Sequence, residues 1–288
     1  MSTLANQSVT VGTAIAKPGT MVRGTIAAGE LAGGVKVEIP VVVINGAVHS
    51  LNFPLVPNPV RDLIHALGTI MDRDRKILID DWAERIYVPD AEHEGFLADK
   101  AARTDFAAMN EDLGVREFVL GREGIDALRA RTYEPTANIQ GIIAGYNGPG
   151  TKTIVPKEAR VRLDFRLIPN IHPEAAAAKL KAHLKKHGFD TIEVKTFDQA
   201  EPPYKIGAGE DIAKAIIAAA YEVYGEPPIV NGVSAEGAIL KHVWIPCVLT
   251  GFANPGCNLH APDENIHIDK YIKGIKYAAA IMEHFGRS

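Results

Sequence analysis

The clearest periodicity in the chain runs from Ala159 to Leu167. Ala159, Val161, Leu163, Phe165 and Leu167 alternate with Arg160, Arg162, Asp164 and Arg166, so one face is apolar and the other charged. Strict period-two alternation predicts a half-buried strand. Three other segments read as strands: Lys36 to Ile44, interrupted by Pro40; Asn138 to Tyr146, ended by the turn Asn147-Gly148-Pro149-Gly150; and Ile192 to Phe197. Helical periodicity lies between them. From Pro57 to Asp72, Leu63, Ile64, Leu67, Ile70 and Met71 form one apolar stripe, with Asn58 as a cap and Pro59 in the first turn. Pro173 to His187 is an Ala/Lys-rich helix closed by Gly188. The order strand, helix, strand, strand, helix, strand is that of the ferredoxin-like split βαβ arrangement. One α/β domain is therefore predicted over residues 35–198, with a weakly patterned helical insertion at about 81–130.

After Glu201-Pro202-Pro203, which reads as a linker, the pattern changes. An amphipathic helix is predicted from Asp211 to Tyr224, followed by a break at Gly225-Glu226-Pro227-Pro228. A short helix or turn lies around Glu236 to His242, a buried-type strand at Ile245 to Leu249, and a terminal helix at Asp269 to Phe285. These helices have too few strands to lie on, and an α/β layer needs a sheet. Residues 199–288 read as half of an α/β domain. Residues 1–34, rich in Gly, Ala and Thr, read as a linker or the remnant of another domain.

Composition narrows the field. The chain has 288 residues, a net charge of −4 and 47% hydrophobic residues, which is a globular profile. There is no basic field for nucleic acid, no apolar run of the roughly 20 residues that a membrane span needs, and no basic-then-apolar leader. Two cysteines, Cys247 and Cys257, argue against a disulfide framework. A cytoplasmic protein is expected.

Candidate chemistry gathers at five positions. His260, in Asn258-Leu259-His260-Ala261-Pro262-Asp263-Glu264, follows an apolar strand and a Gly/Asn/Pro-rich loop. Ligands bind at such strand ends in α/β sheets, and a neutral imidazole there suits zinc. The competing reading is a loop histidine with no role. Cys257 and His260 form a Cys-x-x-His pair without a second pair to complete a structural zinc site. Asp263 and Glu264 suit either orientation of a histidine ring or the capping of a turn. His49, just after the first strand, is either a donor to a developing oxyanion or a surface histidine. Thr153 and Arg166 flank a turn and a strand, and a hydroxyl and a guanidinium can converge on a carboxylate; alternatively Arg166 pairs with Asp164. Ser234 follows Asn231-Gly232-Val233, where backbone amides suit an anion. Gly-x-Ser-x-Gly, Gly-x-Gly-x-x-Gly and Walker-type loops are absent from the sequence.

Several motifs, in order, resemble the M20 zinc metallopeptidases, above all the carnosinase-like dipeptidases and related bacterial amidohydrolases. His49-Ser50 followed by Asn58-Pro59 resembles the family's His-Ser-Gly stretch and Asn-Pro helix start. Pro135-Thr136-Ala137-Asn138-Ile139-Gln140-Gly141 and Gly150-Thr151-Lys152-Thr153-Ile154-Val155-Pro156 resemble its lid domain. Arg166-Leu167-Ile168-Pro169 resembles its Arg-Leu-Val-Pro, and Asn258 to Glu264 its last metal-ligand motif. The resemblance implies a catalytic domain with two zinc ions, manganese or cobalt being suited to related sites, and an inserted split βαβ lid that mediates homodimerisation. It implies His260 as a zinc ligand and His49 as the oxyanion donor, often reaching the partner's active site. Thr153, Arg166 and Ser234 would bind the substrate carboxylate. The implied reaction is hydrolysis of an amide in a small peptide or N-acyl amino acid, with a metal-activated water and a glutamate base.

The sequence also departs from that family. The His-x-Asp motif, the bridging aspartate, the Glu-Glu pair and a further acidic ligand of its N-terminal half have no counterpart here. Leu51-Asn52-Phe53-Pro54-Leu55 replaces a Gly-rich continuation, and Gly232-Val233-Ser234 replaces Gly-Gly-Ser. The chain is therefore expected to carry the lid and the C-terminal half of the zinc-peptidase catalytic domain, and to need a complementing N-terminal catalytic segment for activity. The alternative is a dimerising or ligand-binding module without catalysis.

Overall fold

The computed structural model describes residues 21–23, 34–42, 45–82, 89–168, 171–197, 200, 203–205, 207–231, 233–234, 246–251, 256–258 and 262–287. The chain runs through β1 (Met21–Arg23), β2 (Val35–Val42), β3 (Val48–His49), α1 (Pro59–Ile70), α2 (Ala91–Ala102), α3 (Phe106–Asp112), α4 (Gly124–Tyr133), β4 (Thr136–Ala144), β5 (Ile154–Val155) and β6 (Glu158–Arg166). It continues through α5 (Pro173–Lys186), β7 (Lys195–Thr196), β8 (Tyr204–Lys205), α6 (Asp211–Tyr224), β9 (Val233–Ser234), β10 (Asn265–His267) and α7 (Ile268–Phe285).

The expected βαββαβ lid is present as β2, α1, β4, β6, α5 and β7. Its four strands form one antiparallel sheet in the order β4-β6-β2-β7. Alternation decides which face is covered. Val35, Val37, Ile39 and Val41 of β2 and Ala159, Val161, Leu163 and Phe165 of β6 point inward and are buried. The core also takes Leu63, Ala66 and Ile70 of α1 and Ala176, Leu180 and Leu184 of α5. Trp82 closes it, its ring 5.1 Å from that of Phe165. The opposite face carries the charges, among them an Arg162–Glu38 pair at 3.1 Å.

Asn58 caps α1 as expected, its Oδ1 accepting from the Val60 and Arg61 N–H groups at 3.0 and 3.2 Å. Three details differ from the pattern. Pro40 does not interrupt β2, because pairing with β7 ends at Glu38 and a residue without an N–H is tolerated where a strand has a free edge. Ile64 is 63% exposed and leaves the apolar stripe, whose inward line runs through Ala66 instead. The last strand is laddered only at Lys195–Thr196, although Ile192 and Val194 are still buried.

Between α1 and β4 the chain is helical: α2 is capped by Asp90, α3 by Asp105, and Leu97, Leu128 and Tyr133 form a small core. In the C-terminal segment α6 packs on α7 through Ile216, Ala219, Ala220, Tyr277 and Ala280. Gly225 ends α6 at φ 83°, the left-handed position where glycine carries no Cβ penalty. The strand expected at Ile245 to Leu249 is not formed over its described part: Pro246 to Leu249 has no strand assignment, and Leu249 is 63% exposed. An apolar run becomes a strand only with a neighbour to pair with, and no described strand lies beside it. The turn or helix expected at Glu236 to His242 lies outside the described residues. β1, within a stretch that reads as patternless, pairs antiparallel with β10, Val22 opposite Ile266.

Candidate functional site

The sheet has two chemically distinct ends. Beyond the Val42–Glu158 pair, the same two segments pair again as β3 and β5, with His49 opposite Ile154. The Ser50 N–H donates to the Thr153 carbonyl at 3.0 Å, which brings His49 and Thr153 together at the tip of the lid. The His49 ring is held by its own turn. Its Nδ1 accepts from the Leu51 N–H at 3.1 Å, and Asn52 Nδ2 donates to the His49 carbonyl at 3.3 Å. A ring nitrogen that accepts carries no proton, so the neutral imidazole bears its hydrogen on Nε2. His49 is thus set as a donor with an exposed ring.

Arg166 closes the opposite end of β6, opposite Thr136. The eight residue steps from Glu158 to Arg166, at about 3.4 Å each, separate Arg166 from the His49 end by about 27 Å. The expected convergence of Thr153 and Arg166 on one carboxylate therefore does not occur within a chain. An extended strand cannot bring its two ends together. Arg166 is exposed and forms no ion pair with Asp164. Burial pushes the Asp164 carboxyl up, with Arg166 and Lys36 pulling it the other way.

Ser234 lies in β9, opposite Tyr204 of β8. The insertion touches the same neighbourhood: Lys100 Nζ donates to Asn231 Oδ1 at 2.6 Å, and Arg103 Nη2 to the Pro227 carbonyl at 3.0 Å. His260 lies outside the described residues. Among the described residues nearby in sequence, the Asn265 N–H donates to the Cys257 carbonyl at 2.9 Å and Asn265 Nδ2 to the Asp263 carbonyl at 3.0 Å. Asn258 and Asp263 both take left-handed backbone, φ 52° and 63°. Cys257 is a free, half-buried thiol.

Among the described residues, one group of potential metal donors lies close together: Asp90, Glu92 and His93 at the start of α2. Sequence reading passed over it, although an Asp-x-Glu-His run at a helix start is visible. The group has structural work. Asp90 Oδ1 accepts from the His93 N–H and lies 2.6 Å from its Nδ1, and Glu92 accepts from the Ala208 N–H at 3.3 Å. The described donors do not compose a two-ion centre.

Similarity to known proteins agrees with this architecture. The chain is 24% identical over 238 residues to the human Beta-Ala-His dipeptidase, covering 79% of this chain and 46% of that protein. It is 24% identical over 254 residues to a Cys-Gly metallodipeptidase of Schizosaccharomyces pombe, covering 81% and 48%. It thus spans about half the length of these curated relatives. Among solved structures, an M20 family metallo-carboxypeptidase from Sulfolobus solfataricus superposes with a TM-score of 0.81 at 31% identity, over 94% of this chain and 61% of that one. Residues 32–191, more than half of the sequence, match the M20 peptidase dimerisation domain, and the chain belongs to that family.

Proposed function

We propose that this chain supplies the lid and the C-terminal catalytic segment of a metal-dependent hydrolase that cleaves the amide bond of a dipeptide or N-acyl amino acid, and that it works as a homodimer. One observation carries the reading: His49 and Thr153 lie at one end of the sheet and Arg166 at the other. A single lid cannot put all three on one substrate. Two lids can. β4 is an edge strand with Ile139, Ile142 and Ile143 exposed, and Ile64 of α1 is exposed as well; an open apolar edge is a template for strand pairing. Two-fold symmetric, antiparallel pairing of β4 with its copy reverses one lid against the other. The His49 end of one protomer then lies at the Arg166 end of its partner.

In that assembly the Nε2–H of His49 is the donor to the oxyanion of the tetrahedral species, where a fixed donor lowers the barrier. Arg166, Thr153 and Ser234 hold the substrate carboxylate. The metal in this reading would be zinc, with manganese or cobalt as alternatives, and when bound it would supply carbonyl polarisation and an activated water. His260 is one of its ligands. The others belong to motifs with no counterpart in this sequence, so this chain's residues account for substrate binding and not for the whole bond cleavage. Neither cysteine forms a disulfide, which suits a reducing cytoplasm.

Sedimentation of the chain and of Ile142→Asp tests the assembly. A dimer that the variant converts to a monomer is expected; a monomeric parent overturns the two-chain site. The purified chain with zinc is expected to leave dipeptides intact, and metal-dependent hydrolysis would show that the missing ligands are present after all.

A further inference from the structure

The tip that carries His49 also carries three exposed large apolar side chains, two of them the most exposed in the lid. Leu51 is 81% exposed, Phe53 47% and Leu55 82%. They do not dangle. The Phe53 N–H donates to the Ser50 carbonyl at 2.9 Å, the Leu55 N–H to the Asn52 carbonyl at 2.8 Å, and the Val56 N–H to the same carbonyl at 3.1 Å. Pro54 fixes a further backbone angle. The Leu51 N–H is itself the group that holds the His49 ring. Imidazole and apolar run therefore form one rigid piece, and wherever the ring goes, Leu51 goes within a hydrogen bond of it. Between Pro40 and Arg61 there is no Asp, Glu, Lys or Arg, so this run itself carries no carboxylate, ammonium or guanidinium.

We propose that Leu51, Phe53 and Leu55 form a hydrophobic wall of the substrate site, making the enzyme selective for substrates with an apolar side chain beside the scissile amide. The proposal rests on the reading of His49 as the oxyanion donor. Three large apolar groups held open to water are costly unless something covers them. The occupant nearest to hand is the one the imidazole addresses. A preorganised wall loses no loop entropy on binding, and discrimination by a single apolar contact reaches about tenfold or more.

The test is calorimetric titration of the chain with two phosphinic dipeptide isosteres, one bearing leucine side chains and one only hydrogens, whose phosphinate oxygen can accept from His49 without a metal. The leucine isostere is expected to bind at least about tenfold tighter. In the doubly substituted Leu51→Ser, Leu55→Ser chain, the two affinities should come within about twofold while the glycine-type isostere is unchanged; both positions are exposed, so the fold should stand. Methyl resonances of Leu51 and Leu55 should shift only with the leucine isostere. Equal affinities that both fall in His49→Ala overturn the wall and leave the role of His49 standing. No binding of either isostere, or no loss in His49→Ala, overturns both. A double variant that changes the sedimentation of the chain but not the affinity ratio means that the wall covers the partner protomer, and overturns the proposal as well.

Discussion

The lid and the C-terminal segment use similar helices and bury them to different extents. In the lid, α1 and α5 lie on a sheet whose inward positions are apolar without exception, and Trp82, Leu163, Phe165 and Leu180 are each 1% exposed or less. In the C-terminal segment, α7 buries Tyr277 and Ala280 against α6 but leaves Tyr271, Ile272, Ile275 and Met282 open, Met282 by 70%. A helix that is apolar on several sides belongs inside a larger body. The sheet supplies the difference. The lid has four paired strands, whereas the strands described around α6 and α7 are the short pairs β1–β10 and β8–β9. The lid closes a full core on its own sheet; among the described residues the C-terminal segment does not.

The largest effect should come from the lid core. Phe165→Ala removes a fully buried ring that packs on Trp82, and a loss of about 3–5 kcal/mol is expected for such a truncation. Denaturant melting monitored by Trp82 should show it. Amide exchange in α6 and α7 should stay unchanged if the two regions open independently; a parallel rise in both would show them to be one cooperative unit. Asn58→Ala strips the cap from α1 and should cost about 1 kcal/mol in the same melt. An unchanged midpoint would show that Pro59 alone sets the helix start.

The smallest effect depends on pH. His183 of α5 is buried, with Nε2 donating to the Thr69 carbonyl at 2.9 Å and its ring centre 4.4 Å from that of His187, the two planes tilted by 42°. Burial holds its pKa below the ordinary 6.5; the Thr69 carbonyl and Asp80 pull it up, and His187 and Lys186 push it further down. A depressed histidine pKa favours the folded state while the ring is neutral. The stabilisation is present above about pH 6.5 and is lost as pH falls through the lower folded value. His183→Gln keeps a donor for Thr69 and should flatten that acid limb. An equally steep limb in the variant would assign it to other groups.

The lid was readable because each of its residues answers a local question. Alternation from Ala159 to Phe165 reports a covered face, and Asn58-Pro59 reports a helix start, whatever the rest of the chain does. Errors fell where the answer depended on a neighbour. Ile64 fits the helical stripe by spacing but is open to solvent. Pro246 to Leu249 has the composition of a buried strand without a described strand to pair with. Met21–Arg23 has no signal of its own and becomes a strand only against Asn265–His267, more than two hundred residues later.

The candidate site divides in the same way. His49, Thr153, Arg166, Ser234 and His260 are visible in the sequence because their residue types and motifs persist along the chain. The sequence also determined the order of the lid's elements and the apolar character of the stretch from Leu51 to Leu55. Only the tertiary structure decided that His49 and Thr153 share one end of the sheet while Arg166 occupies the other. It also decided which ring nitrogen of His49 is left to donate. The reason is geometric. Sequence spacing fixes a residue's face and period, but the distance between two side chains depends on strand direction and register, which arise only when separate segments pair.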